Sequence, residues 1–363
     1  ALSGEADDAL VLAALLAQQD QQASAAEAVL GAHAWAFQQA PAFQPWATLQ
    51  QAGWLRMRGA LAEALAVLDE GRRQARQLGE ALALGELRLA RADVLQNLGR
   101  AAEAKQELQG LAEDYLAQGA WCRAANALTK LGRLRLLGLQ ATSSLGAAWP
   151  AAEDPAPPLQ QSLTLRRAHC QQAPRIAENL ALLAATAILR GDVGAAEQAL
   201  LRSQKEVAQG ADIGLRRHWA VLEGQLALLR ARLAAQAAAP PLYQEAERRL
   251  RAALTLLDSE HAPRSGADQP GARAIAPAPD PYDSGWRARV ALALALAALQ
   301  RPAEAEAEFQ RAEEHLERRG LELTRGEVRS GYLGRHQLGT GAYVEFLVDE
   351  RRDAVVEGGG HEA

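Results

Sequence analysis

Four places in this chain carry residue types that could do chemistry. His169-Cys170 pairs a base with a nucleophile. Adjacent residues on a helix point about 100° apart, so the two side chains cannot share a proton. They read instead as a half-buried helix pair. Gly334-Arg-His-Gln-Leu-Gly339-Thr-Gly has the glycine spacing of a phosphate-binding loop, but Thr340 stands where a lysine must reach the phosphates. No strand precedes it, and it reads as a helix break. Glu313, Glu314, His315 and Glu317 could offer metal ligands. Glu313 and Glu317 share a face at i, i+4, while His315 lies off it, as on a solvated face. The arginine clusters Arg72-Arg73-Arg76, Arg166-Arg167, Arg216-Arg217, Arg248-Arg249-Arg251 and Arg318-Arg319 could meet an acidic peptide or RNA. Most have acids nearby, which favours a solvated face. The expectation is therefore no catalytic residue, no metal and no cofactor, and a protein that is not an enzyme.

The elements beneath these residues are more informative. Ala104, Leu108, Leu111 and Tyr115 lie at offsets 0, 4, 7 and 11, one face of a 3.6-period helix. The same offsets return at Ala246, Leu250, Ala253, Leu257 and at Ala305, Phe309, Ala312, Leu316. They return with small or polar changes at Ala64, Leu68, Gly71, Ala75 and at Ala196, Leu200, Ser203, Val207. One amphipathic unit used five times predicts an all-α protein, a right-handed α-solenoid of helical hairpins.

Composition bounds the rest. Of 363 residues, 49% are hydrophobic and only 4% aromatic, and the net charge is −5. No bulk field favours nucleic acid or an anionic membrane. Two cysteines are too few for a disulfide framework, so a reducing interior is the default, and the protein is expected to be soluble and intracellular, cytoplasmic or organellar. No apolar run reaches the roughly 18 residues of a membrane span. The chain does not begin with Met, which suggests a removed segment or part of a longer polypeptide.

In order, residues 1–45 form an N-terminal helical cap. Residues 46–139 hold hairpins one to three, and 140–158 a Pro/Ala-rich insertion. Hairpins continue over 159–260, a Pro/Gly-rich mobile loop spans 261–284, and 285–357 carries the last hairpin and capping helices before the tail at 358–363. The first helix of the fifth hairpin should run from Ile213 to Ala238, with Pro240-Pro241 as its turn. Alignment of Ala64 with Ala104 gives a 40-residue period.

Gly59…Ala62-Glu63-Ala64…Leu68, Gly99…Ala102-Glu103-Ala104…Leu108 and Leu128-x-x-Leu131-Gly132 resemble tetratricopeptide repeats (TPR). The likeness covers residues 46–320, with helices about one turn longer than the usual repeat of about 34 residues. The 40-residue form is similar to arrays that precede CHAT (caspase-like) protease domains. Arg329-Ser-Gly-Tyr-Leu-Gly-Arg335, Tyr343-Val-Glu-Phe-Leu-Val348 and Asp353-Ala-Val-Val356 are similar to the final repeat leading into that domain. The resemblance implies a groove lined by the first helix of each hairpin. Asn97, Asn126 and Asn179 do not match the family's carboxylate clamp. The candidate partner contacts are Trp54, Trp121, Trp219 and Trp286, with Arg88, Arg91 and Arg135. The expected function is a protein-protein interaction scaffold, a subunit binding protein or peptide partners within a multi-protein assembly. The alternatives are the sensor array of a longer CHAT-type protease and, last, an RNA-binding helical repeat.

Overall fold

A computed structural model of the chain describes residues 44–57, 59–142, 150–207, 210–258, 284–322 and 342–348. Residues 1–43 of the expected N-terminal cap, the phosphate-loop-like glycines, Arg329–Arg335 and Asp353–Val356 lie outside the described residues. Among the described residues the regular structure is entirely helical. The helices are α1 Gln44–Met57, α2 Leu61–Leu78, α3 Ala81–Asn97, α4 Ala101–Ala117, α5 Trp121–Thr142, α6 Ala156–Leu165, α7 Ala173–Arg190 and α8 Val193–Glu206. They continue with α9 Ile213–Leu233, α10 Ala239–Asp258, α11 Ser284–Ala298, α12 Pro302–Glu322 and α13 over 342–348. None of them is long and apolar enough to cross a membrane.

All four members of each of the five stripes are buried, from Ala64 on α2 to Leu316 on α12. Fully burying one leucine contributes roughly 1.5–3 kcal/mol, so the stripe is what commits each second helix to its hairpin. Departures from Ala and Leu have local reasons. A Cβ at Gly71 would stand 2.6 Å from Thr48 Cγ2 on α1 and 3.1 Å from Leu87 Cδ2 on α3. Only a glycine lets α2 lie that close to both. Ser203 on α8 donates to the Ala177 carbonyl on α7 at 2.6 Å and accepts the Trp219 indole N–H from α9 at 2.8 Å.

The turns repeat as regularly as the stripes. Gly59, Gly79, Gly99, Gly119 and Gly191 have φ between 68° and 76°. Each ends its helix in a Schellman arrangement: Gly79 N–H donates to the Arg76 carbonyl and Glu80 N–H to that of Ala75. The first four lie twenty residues apart, one helix and its turn. Gln300 makes the same turn at φ 59° without being glycine.

The chain divides into two compact units, with one boundary inside α5 between Ala127 and Leu128. In the first unit α1 to α4 pack each on the next, and α1 also packs on α3. Ala52, Leu55, Leu68, Leu87 and Val94 are central to its core. In the second unit α7 pairs with α8, α9 with α10 and α11 with α12. There the first helices also touch one another, α7 with α9 and α9 with α11. Two glycines set the spacing within hairpins. A Cβ at Gly224 would meet Leu250 Cδ2 at 2.5 Å, and one at Gly132 would meet Leu159 Cγ at 2.5 Å.

Two expected boundaries move. α9 stops at Leu233, and after an extended Ala234 and a short turn over Gln236–Ala238, α10 begins at Ala239. Pro240 and Pro241 therefore sit in the first turn of α10, where a missing N–H costs nothing. The expected insertion is partly helical for the same reason. α6 starts at Ala156 with Pro157 and Pro158 in its first turn. It then widens into one π-helical turn, Arg166–Cys170, and ends at a left-handed Gln171.

Candidate functional site

The expected partner contacts do not share one environment. Arg88 and Arg91 project from α3 into an ion cluster with the helices on either side. Glu107 on α4, its side chain 9% exposed, accepts from Arg88 Nε at 2.5 Å and Arg91 Nη1 at 3.1 Å. Arg88 also pairs with Asp114, and Arg91 Nε donates to Asp69 on α2 at 2.8 Å. Arg72 completes the set, 3.1 Å from Asp69 and 3.5 Å from Glu107. Three arginines thus face three carboxylates, and the cluster is neutral. Burial would lower the Arg88 pKa, but its hydrogen bonds to Glu107 and Asp114 outweigh that and raise it. These arginines brace α2, α3 and α4. An acidic partner would have to break that brace to use them.

The second unit repeats the device. Arg289 on α11 reaches Glu308 on α12 at 3.2 Å and Asp258 on α10 at 3.5 Å. The Arg88–Glu107 and Arg289–Glu308 pairs have the same 19-residue separation, and each glutamate directly precedes the second stripe residue. The equivalent residue on α10 is Arg249, 3.7 Å from Glu223 on α9 with the charges exchanged. This spacing was legible in the sequence, and a search for charged pairs 19 residues apart would have found it.

Of the tryptophans, Trp219 is 9% exposed and Trp286 4%, so both belong to the core. Arg287 lies over the Trp286 ring, 5.4 Å from its centroid. Trp54 is half-buried against the first unit's core. Trp121 is 38% exposed and presents the most surface of the four. Arg135 Nη1 donates to the Asp154 carbonyl at 3.2 Å, tying α5 to the segment before α6.

One buried polar group went unforeseen. Thr129 on α5, Ser162 on α6 and Asn179 on α7 form a closed triangle with edges of 2.9, 2.8 and 2.8 Å. Arg166, 1% exposed on the π-helical turn, reaches Thr129 Oγ1 at 3.4 Å and Gln172 Oε1 at 3.2 Å. Burial pushes its pKa down, and the charge of Glu178 opposes that shift. Ser162 and Asn179 are fully buried, so no substrate can reach their polar atoms. The triangle fixes three helices in register.

The chemistry first considered can be placed as well. Neither Cys122 nor Cys170 is a free thiol, so Cys170 offers no thiolate to His169. That also departs from the free thiols expected of a reducing compartment. Among the described residues no group of three or more His, Cys, Asp or Glu is placed to hold a metal ion. The arginine clusters carry acids with them: Arg73 with Glu70, Arg248 and Arg249 with Glu245, Arg251 with Glu247 and Glu304, Arg167 with Glu206. Neither a protein-family model nor a curated protein sequence matches this chain.

Proposed function

We propose that this chain is a non-catalytic protein-interaction scaffold. In this reading its hairpins are TPR-like and stack as a right-handed α-solenoid, binding a protein or peptide partner within a larger assembly. The observation that carries the reading is the packing of first helix on first helix: α1 on α3, α7 on α9 and α9 on α11. Hairpins joined through their first helices bring those helices side by side, which is how helical repeats form an extended inner surface. Trp121 is the contact we nominate on it, since Arg88 and Arg91 already brace neighbouring helices. A bulky aromatic with over a third of its surface exposed is the side-chain type that anchors interfaces. The absence of a free thiol at Cys122 and Cys170 favours an oxidising compartment over the cytoplasm.

The test is affinity capture from the native source at mild salt, followed by reconstitution of any stoichiometric complex. Trp121→Ala should weaken that complex at least tenfold with unchanged circular dichroism. A chain that purifies alone from its source, with no stoichiometric partner, would refute the scaffold.

A second reading keeps the array as the sensor part of a longer CHAT-type protease. It is favoured by α13, which holds Tyr343 and Phe346 of the quoted resemblance and packs against the last hairpin. Intact-mass measurement of the native polypeptide decides it: a mass near 38.7 kDa leaves no room for a protease domain.

A further inference from the structure

One second helix departs from the others on its exposed face. The residue after the second stripe position is polar or charged on α2, α4, α10 and α12, as Asp69, Gln109, Arg251 and Gln310. On α8 it is Leu201, 52% exposed. α8 packs on α7 and on α9, yet this leucine stays open.

The charges around Leu201 are also out of balance. α8 has two carboxylates, and arginines of other elements take both. Glu197 accepts from Arg230 Nε on α9 at 3.0 Å, and Glu206 pairs with Arg167 of the π-helical turn at 3.1 Å. The helix's own cations, Arg202 and Lys205, are exposed and make no ion pair among the described residues. Three positions apart, they share a face and repel each other. On the other second helices of this unit, Arg249, Arg251 and Arg311 each have a glutamate one turn back: Glu245, Glu247 and Glu308. One turn before Arg202 stands Gln198, and one turn before Lys205 stands Leu201 itself. The negative end of the helix dipole suits Lys205 in the last turn, but it accounts for no exposed leucine beside two cations.

We propose that this face of α8 docks an acidic amphipathic helix of a partner protein, which covers Leu201 with an apolar side chain and sets carboxylates against Arg202 and Lys205. This rests on the scaffold reading above. The occupant follows from charge complementarity. Two unpaired cations at i and i+3 match two carboxylates one turn apart on a facing helix, and pairing relieves their repulsion. A long polyanion or an anionic membrane would also meet Glu197 and Glu206 on the same helix, on a chain of net charge −5. A single protein helix avoids both.

The probe is a fluorescein-labelled helical peptide of roughly 15 residues, with a leucine at its centre and a glutamate one turn to either side. Its anisotropy is followed against the full chain. Wild type should bind it about tenfold more tightly than Arg202→Gln with Lys205→Gln, and about tenfold more tightly than Leu201→Ser. All three side chains are exposed, so circular dichroism should not change. If it does, Arg202→Ala and Leu201→Ala replace these variants, with the same expected order of affinities. Equal binding to wild type and variants overturns the proposal, as does no binding to any of them. So does a loss confined to the cation variant while Leu201→Ser binds normally. Single-stranded RNA or phosphatidylserine vesicles held more tightly than the peptide, and released by the cation variant, would make a polyanion the occupant and overturn the assignment to a protein helix. Dimerisation of wild type that the variants abolish, read by light scattering, would make a second copy the occupant and overturn the assignment to a partner. A stoichiometric partner captured equally by wild type and variants would leave the scaffold standing and remove only this face.

Discussion

His218 gives this fold an acid limit that can be worked from its surroundings. It sits on α9, 5% exposed, and Arg287 on α11 adds like-charge repulsion. Burial first, and Arg287 second, push its pKa down to about 3. The ring is therefore neutral in the folded state through the whole physiological range. In the unfolded chain it takes a proton below about pH 6.5. Because the unfolded state binds the extra proton, stability is full above that pH and is lost as pH falls towards 3. At 1.36 kcal/mol per unit the whole term is on the order of 5 kcal/mol, and acidification from pH 7 to 5 removes about 2 kcal/mol of it.

The perturbation is His218→Leu, compared with wild type at pH 7.5 and pH 5, where carboxylates remain mostly ionised. Urea unfolding is followed by hydrogen exchange in α9 to α11, so that the second unit is read by itself. Wild type should lose about 2 kcal/mol more than the variant between the two pH values. The folded ring's nitrogen resonances should stay at their neutral positions down to pH 5. A His218 signal titrating near 6.5 in the folded protein would refute the reasoning. So would wild-type and variant pH profiles that run parallel.

Four further substitutions test the packing. Gln300 holds a left-handed conformation that glycine takes without strain, so Gln300→Gly should stabilise the α11–α12 hairpin by about 1 kcal/mol in urea titration. Gly79→Ala has open space around its new methyl yet should cost about 1–2 kcal/mol, through φ alone. Gly224→Ala drives a methyl to 2.5 Å from Leu250 Cδ2, and about 1–3 kcal/mol of destabilisation should appear in the second unit's exchange rates. The Tyr115 hydroxyl is buried over Gly85 with no hydrogen-bond partner, so Tyr115→Phe should raise stability by about 1 kcal/mol, opposite to the usual sign. Burial raises the Tyr115 pKa, with the charge of Glu86 second. Wild type should therefore lose stability as pH rises above 10 and the variant should lose less, which thermal melts at pH 9 and 10.5 would read.

What could be read from the sequence was whatever repeats. Stripe positions recur because each second helix must bury the same face, and glycines recur every twenty residues from Gly59 to Gly119 because each helix there needs the same left-handed stop. The limits of α9, α10 and α6 were misplaced because proline was treated as a break, when the first turn of a helix accepts it. The candidate contacts suffered from a different ambiguity. A tryptophan or arginine on a first helix has the same local pattern whether it faces a partner or a neighbouring helix, and only the partner residue decides. For Arg88 that residue is Glu107, nineteen positions on, and for Trp219 it is Ser203, on the helix before.

The exceptions within the repeating pattern therefore carry more information than the pattern itself. Ser203 breaks a stripe and holds Trp219; Thr129, Ser162 and Asn179 break three helix faces and lock them together; Phe309 enlarges a stripe position and receives α13. The first two are closed within the fold, each group meeting another part of the same chain. The third leaves Val344 and Val348 of α13 exposed. A contact that partly covers two rings on one side and exposes two valines on the other leaves apolar surface open. Open apolar surface alone names no partner. Leu201 on α8 is open beside two unpaired cations, so its face, rather than the ion-paired arginine clusters, is where a partner should be sought first.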